Sequence, residues 1–165
     1  MIWLVLAYRV LIAITLRSTF SPDEHWQSIE VAHEAVFGYG YLTWEWWDAH
    51  RIRSIVHPMI YMFFYEFLSI FNIDYAVIVA YGPRVLQAIF LAGFDICIYK
   101  SALLLMGPER AKQALYLSIG SWFISYGGVR TYSNSTEMCL VALAYYFYIQ
   151  NKMTCLLYTS DAADE

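Results

Sequence analysis

The sequence predicts an all-α protein whose helices cross a membrane several times. Of its 165 residues, 60% are apolar, 19% are aromatic and only 15% are charged. A soluble domain usually carries about 25% charged residues, so this composition argues against one. In addition, several apolar runs approach the roughly 20 residues that a helix needs to cross a bilayer.

The first apolar run, 1–16, is interrupted only by Arg9. We interpret it as a transmembrane helix. A signal peptide is the alternative, but no small-residue cleavage site follows the run. A charged side chain in hydrocarbon is costly, so we expect Arg9 to face protein or a polar cavity.

A long aromatic loop of mixed charge, 18–53, comes next. Ser21-Pro22-Asp23-Glu24 predicts a helix start, because Ser is a good cap, Pro fits the first position and acids complement the helix dipole. The helix should run over 22–36 and end before Gly38. Its mixture of apolar and polar residues fits a helix lying on the membrane surface.

Four further apolar runs are candidates for membrane helices: 57–71, 85–106, 111–127 and 136–149. Lys100, Arg110 and Lys112 cluster around the turn at 107–110, which the positive-inside rule places in the cytosol. Residues 18–84 are then luminal. In that arrangement 57–71, which is short and contains Glu66, lies on the surface. In the alternative, 57–71 spans and the turn is luminal.

The adjacent acids Asp23 and Glu24 are the candidate catalytic pair. A carboxylate just outside the membrane can accept a proton from a sugar hydroxyl while a phosphate leaves. Both acids could equally complement the helix dipole, and spacing alone favours that simpler interpretation.

Aromatic and basic residues are candidates for substrate binding. Trp44, Glu45 and Trp46, with Trp47, could form a platform for a sugar or an anchor at the membrane interface. The basic candidates could bind a phosphate or anchor to lipid headgroups. They are Arg51, Arg53, His57 and Arg130.

No metal or cofactor site is expected. His25 and His33 have no third ligand at a suitable spacing, and Cys97 and Cys139 sit in apolar runs where Cys behaves as a small hydrophobe. The sequence has neither a Gly-rich phosphate loop nor a basic stripe for nucleic acid. A nucleotide-sugar fold is also absent, so the sugar donor is expected not to be soluble.

The last eleven residues are interpreted as non-native. The segment 155–165 matches the translation of a transposase-type sequencing adapter, and residues 1–154 form the truncated domain. Without the three acids of that segment, the formal net charge of −4 rises to −1. We therefore draw no inference from the overall acidity.

Several motifs, in order along the chain, resemble glycosyltransferase family 22, the group that depends on dolichyl phosphate mannose. Two of them are Ser-Pro-Asp-Glu-His-Trp-Gln-Ser at 21–28 and Phe-Gly-Tyr-Gly-Tyr-Leu-Thr-Trp-Glu-Trp at 37–46, and the second contains the specific stretch at 39–46. Others are Glu-Val-Ala-His at 30–33, Ile-Arg-Ser at 52–54, Pro83-Arg84 and Arg130-Thr131. The 37–46 block favours the branch that acts on precursors of glycosylphosphatidylinositol (GPI) anchors.

This resemblance implies a GT-C fold in the endoplasmic reticulum membrane, with several spans and a luminal active site. It implies an inverting transfer of an α-1,2-linked third mannose from dolichyl phosphate mannose to the GPI-precursor glycolipid. The catalytic acidic motif of the family would be Asp23-Glu24. Either acid could be the base, and we predict that Asp23 is the base and that Glu24 positions the acceptor. The alternatives are an enzyme acting on dolichol-linked N-glycan precursors and a non-catalytic membrane protein of GT-C ancestry.

Overall fold

The structure is a computed structural model that describes residues 2–18, 21–47 and 52–150. Within these ranges it is helical and contains no strand, so the all-α prediction is confirmed for this part of the chain. The helices are α1 (Ile2–Thr15), α2 (Glu30–Phe37), α3 (Val56–Ile70), α4 (Ala76–Met106), α5 (Pro108–Gly120), α6 (Trp122–Gly127) and α7 (Ser133–Ile149). The GT-C type and the interpretation of 155–165 stay predictions, and the latter segment lies outside the described residues.

The long helix α4 forms the centre of the fold, with α1, α5 and α7 packed against it. Its 31 residues extend about 45 Å, enough to cross a bilayer. Among the described residues it is the one helix that is both long and apolar enough to do so, while α1 is apolar but shorter. Small residues, Ala13 and Ala88, are fully buried in the core between α1 and α4 and allow close packing.

The expected apolar segment 111–127 is divided into two helices at Ser121. The backbone of Ser121 is extended, with φ −68° and ψ 115°, and its hydroxyl accepts a hydrogen bond from the Ile124 amide at 3.4 Å. A serine that caps a new helix in this way competes with continuation of the preceding one. The sequence pattern showed the apolar run and missed this local break.

The helix predicted over 22–36 is present. It starts with a helical turn at Asp23, passes through a π-helical segment, His25–Ile29, and continues as α2 to Phe37. Gly38 then ends it in the left-handed region with φ 76°, where glycine carries no Cβ penalty. The π-helical segment was not predicted.

Two polar residues of this helix, which its mixed composition predicted to lie on the membrane surface, are instead buried. Glu24 and Ser28 are 0% and 1% exposed. They point into the protein because buried polar groups of α3, α4 and the loop before α7 supply their partners. Periodicity cannot show such partners, because they are distant in the sequence.

The prediction for Arg9 is confirmed. Its guanidinium is fully buried and forms two hydrogen bonds with Asp95 of α4, at 2.7 and 2.9 Å. The hydroxyls of Ser125 and Ser118 complete the cluster, the first accepting from Arg9 at 2.7 Å and the second donating to Asp95 at 2.6 Å. This cluster joins α1, α4, α5 and α6 in the apolar core.

Candidate functional site

Glu24 lies buried between two arginines from distant parts of the chain. Arg84 of α4 donates from Nε to Oε1 at 3.0 Å, and Arg130 donates from Nη1 to Oε2 at 2.8 Å. The side chains of Glu24, Arg84 and Arg130 are 0%, 9% and 1% exposed. Both carboxylate oxygens are therefore occupied, and the three groups together carry one excess positive charge.

The same arginines hold the end of α1. Arg84 donates to the Leu16 carbonyl at 3.0 Å, and Arg130 donates to the Ser18 carbonyl and to the Ser18 hydroxyl. The hydroxyl of Thr131 donates to the Glu24 carbonyl at 3.1 Å. The Arg84–Glu24–Arg130 cluster thus fixes α1, α4, the turn at Asp23 and the loop before α7 relative to one another.

Asp23 precedes Glu24 in the chain, but its environment is the opposite. Its side chain is exposed, and its backbone amide donates to the Ser21 hydroxyl at 3.4 Å. Since the neighbouring Glu24 is anchored on both oxygens, the backbone that carries Asp23 is held in place while its carboxylate stays accessible. An accessible carboxylate on a fixed backbone is what a general base requires.

His57 lies in a second polar network beside this cluster. Its Nδ1 is 3.1 Å from the Ser28 hydroxyl and its Nε2 is 3.2 Å from the Thr136 hydroxyl. The Ser28 hydroxyl also donates to the Thr131 carbonyl at 3.0 Å. Burial lowers the pKa of His57 below its usual value, which favours the neutral ring.

The network makes His57 a connection between the helical segment at Ser28, α3 and α7. Both of its ring nitrogens have protein partners, and Thr136 leads on to Gln87 of α4 at 3.1 Å. The structure therefore places His57 in a supporting position behind Thr131 and Glu24, and not in the open position expected of a phosphate ligand.

The aromatic block lies in the loop after α2, as a single 3₁₀ turn, Trp44–Trp46. Glu45 accepts two hydrogen bonds from Arg53, at 3.0 and 3.1 Å. The side chains of Trp44 and Trp47 are 55% and 53% exposed, and the indole N–H of Trp46 is buried without a partner among the described residues. Arg51 lies outside the described residues.

The predicted site residues thus fall into two groups. The structure brings Asp23, Glu24, His57 and Arg130 together, whereas the Glu45–Arg53 pair lies in a separate loop. Arg130 is not brought to an open phosphate site, because its guanidinium already bonds Glu24 and Ser18. Within the described ranges, no group of three or more His, Cys, Asp or Glu side chains could hold a metal ion.

Arg84 is the main residue that sequence reasoning missed as part of the site. A signal for it existed, because an arginine in an apolar helix needs a partner and marks a site. The predicted span began at residue 85, one position too late to include it. Since α4 actually begins at Ala76, Arg84 lies inside the helix and must find its anion within the protein.

Comparison with known proteins agrees with these motifs. The model of the Alg9-like mannosyltransferase family matches residues 1–162. The chain belongs to this family. The predicted family resemblance is therefore confirmed.

Curated relatives are similar over most of this chain. Mannosyltransferase APTG1 of Arabidopsis thaliana is 42% identical over 143 residues, covering 87% of this chain and 26% of that protein. GPI mannosyltransferase 3 of Schizosaccharomyces pombe is 40% identical over 148 residues, covering 88% and 29%. GPI alpha-1,2-mannosyltransferase 3 of Homo sapiens is 36% identical over 143 residues, covering 87% and 26%.

The chain therefore spans little more than a quarter of the length of these family members. No solved structure matches it.

Proposed function

We propose that this chain contributes the catalytic carboxylate of an inverting α-1,2-mannosyltransferase that acts in GPI-anchor synthesis. The donor is dolichyl phosphate mannose and the acceptor is the GPI-precursor glycolipid. Membership of the mannosyltransferase family supports the reaction class. The names of the human and fission yeast relatives support a GPI-related acceptor, and the human name supports the α-1,2 linkage.

One observation carries the mechanism: two neighbouring carboxylates occupy opposite environments. Glu24 is fully buried with both oxygens bound by arginines, whereas Asp23 is exposed. A fully buried carboxylate that already accepts from two arginines is a poor proton acceptor for a substrate hydroxyl, so we assign Asp23 as the base. Glu24 becomes a positioning residue that holds Asp23, in place of the acceptor contact expected from the resemblance.

The transfer is written as a single displacement. An acceptor hydroxyl oxygen attacks the anomeric carbon while the bond from that carbon to the phosphate oxygen breaks, and the electron pair leaves with dolichyl phosphate. The hydroxyl proton moves to the Asp23 carboxylate. The excess positive charge of the Arg84–Glu24–Arg130 cluster lies behind Asp23 and favours the negative charge that develops on the phosphate.

The remaining predicted residues take two kinds of role in this proposal. Trp44 and Trp46 offer aromatic surface to a sugar, with the Glu45–Arg53 pair fixing their turn. Arg130 and His57 act through Glu24 and Thr131 as positioning residues. A phosphate contact from Arg51 stays a prediction.

The decisive test is Asp23→Asn in the full-length protein, assayed for mannose transfer at matched expression. The variant keeps the shape and removes the basicity, so transfer should fall by about 10²- to 10⁴-fold, the usual contribution of a general base. Asp74→Asn is the matched control, since Asp74 is exposed in the turn after α3 and should keep normal activity. Near-normal transfer by Asp23→Asn would overturn the assignment of the base.

The same assay separates the competing functions. Wild-type enzyme should use the GPI precursor, whereas activity only with dolichol-linked N-glycan precursor would favour the alternative acceptor. A well-folded full-length protein without activity on either glycolipid would favour the non-catalytic alternative.

We also propose that the protein is a multi-pass protein of the endoplasmic reticulum membrane with Asp23, Trp44 and Arg130 in the lumen. Arg84 and Met106 lie toward opposite ends of α4, so the arginine cluster and the turn at Gly107 face opposite sides if α4 spans the bilayer. An engineered glycosylation acceptor next to Glu109 should stay unmodified in microsomes. Its glycosylation would reverse the orientation.

A further inference from the structure

An apolar groove of about 590 Å³ runs along α4 on the face next to α1 and α3. That volume falls within the range of about 300–1,000 Å³ of ligand pockets. Its wall on α4 is formed by a stripe of side chains one helical turn apart, and Arg17 is the charged lining residue among those that the structure describes. The principal apolar lining residues are Ile14, Phe64, Val77, Val85, Leu86 and Ile89.

Gly82 sets the width of this groove. A Cβ at that position would lie 2.4 Å from the Phe64 ring, so only glycine lets the ring approach the backbone of α4. The ring forms one wall, and Val77 and Ile89 remain 69% and 49% exposed. The groove is therefore open and apolar, and no side chain of the described residues fills it.

Arg17 is held at the groove by its two neighbours in the chain. The Leu16 carbonyl accepts from Arg84 and the Ser18 carbonyl accepts from Arg130, the same two arginines that bind Glu24. Arg17 itself is exposed and forms no ion pair or hydrogen bond with the other described residues. One buried cluster therefore fixes both the free cation at Arg17 and the free carboxylate at Asp23.

We propose that this groove binds the hydrocarbon tail of the sugar donor, with its phosphate on Arg17. The inference rests on the proposed function for the identity of the donor. The occupant must combine one anionic head with a long apolar tail, since the groove offers one unpaired cation followed by apolar side chains. Ile14, Val85 and Ile89 line the part of the groove that leads from Arg17 toward the buried Arg9–Asp95 cluster, and Val77 and Ile78 line the opposite part. We place the tail along the first part, because that direction leads into the proposed membrane span of α4.

This arrangement also fits the displacement. The phosphate of the donor carries the bond that breaks, while Asp23 must reach the hydroxyl that attacks from the opposite side of the anomeric carbon. In the proposal the phosphate binds to Arg17 and the base is Asp23. The Arg84–Glu24–Arg130 cluster holds the backbone of both residues. Arg17 supplies the accessible cation that Arg130, buried against Glu24, does not.

The first experiment measures donor kinetics in the full-length enzyme. Ile89→Trp should raise the KM for dolichyl phosphate mannose about tenfold, as expected for loss of a contact worth one decade of affinity, with kcat nearly unchanged. Arg17→Ala should raise the KM by a similar factor and also lower kcat, because the phosphate on Arg17 gains negative charge as its bond to the anomeric carbon breaks. Arg17→Lys should recover part of the affinity. Arg110→Ala and Leu105→Trp are the matched controls, since both are exposed at the far end of the helix pair and should leave KM unchanged.

The second experiment locates the lipid directly. A citronellyl phosphate with a diazirine at the end of its hydrocarbon chain should label residues 85–89 of the full-length enzyme, and unlabelled citronellyl phosphate should compete. Equal labelling by a diacyl phospholipid probe without competition would show bulk lipid in the groove. Absence of labelling together with poor folding of Ile89→Trp would show that the rest of the enzyme covers it.

The inference would be overturned by equal labelling with the phospholipid probe, or by absent labelling together with poor folding of Ile89→Trp. An unchanged KM in the Arg17 and Ile89 variants would overturn it as well. Failure of the proposed function has a different signature, because wild-type enzyme would then transfer no mannose from this donor.

Discussion

Two buried ionic clusters lie on α4 about three helical turns apart, and they differ in charge balance. In the first, Arg9 faces Asp95 with two serine hydroxyls, so one cation meets one anion. In the second, Arg84 and Arg130 share the single carboxylate of Glu24. The first is neutral and enclosed in the apolar core, whereas the second is positive and adjoins the exposed Asp23.

On the proposed function, this difference separates a cluster that only joins helices from one that takes part in transfer. A neutral buried pair is a way of joining helices where charge is otherwise costly. A buried cluster with excess positive charge joins helices at a higher cost in free energy, because one charge has no buried counter-ion. It suits a site where negative charge must develop on a phosphate. The comparison therefore predicts that only the second cluster is needed for transfer.

The largest effect should come from breaking the neutral pair. Asp95→Ala leaves Arg9 buried without an anion, which should lower the free energy of unfolding by about 3–5 kcal/mol. Thermal unfolding of the full-length protein in detergent measures the loss. The double variant Arg9→Met with Asp95→Leu should recover most of the stability and also the transfer activity. A stable but inactive double variant would show that this cluster has a role in the reaction.

Removing the anion of the Arg84–Glu24–Arg130 cluster should have a different effect. Glu24→Gln leaves two buried guanidiniums with one amide oxygen, so both stability and transfer should fall, the latter by at least tenfold. Replacing the three residues together by Arg84→Met, Glu24→Leu and Arg130→Met should restore stability without restoring transfer. Detergent unfolding and mannose transfer, measured in parallel, separate the two effects. Recovery of transfer in the triple variant would contradict a functional role for the cluster.

A smaller effect is expected from acidification through His57. Burial lowers its pKa in the folded protein, so the unfolded chain takes up a proton at higher pH than the folded one. Stability from the neutral ring is complete above the unfolded pKa of about 6.5 and is lost as pH falls from there toward the folded pKa. His57→Gln should flatten this part of the stability profile between pH 7 and pH 5. An unchanged slope would show that other groups cause it.

The smallest effect should follow Arg53→Ala. The Arg53–Glu45 pair is partly exposed, at 38% and 17%, and such pairs contribute about 0–1 kcal/mol to stability. Lys112→Ala is the matched control, because it breaks a more exposed pair with Glu109. Both variants should unfold within about 1 kcal/mol of wild type. A loss of transfer in Arg53→Ala alone would show that the Trp44–Trp46 turn contacts substrate.

Much of the outline could be predicted because it depends on local physical properties. The helical class and the buried position of Arg9 follow from apolar runs and from the cost of charge in hydrocarbon. The helix after Ser21 follows from cap, proline and acids, and its end at Gly38 from the left-handed backbone there. The acidic pair and the family could be recognised from motifs within a few dozen residues.

The different environments of Asp23 and Glu24 could not be predicted, because they depend on partners that are 60 and 106 residues away in the chain. Spacing treated Asp23 and Glu24 as equivalent neighbours, and only the packing of α4 and the loop before α7 buries one and leaves the other exposed. The same packing gives Arg130 and His57 partners within the protein, and it leaves Arg17 exposed. The sequence by itself determined the helices and the residue types available for chemistry. The tertiary structure decided which charges neutralise one another and which remain free, because Coulomb and hydrogen-bond energies depend on distance in space and not on separation along the chain.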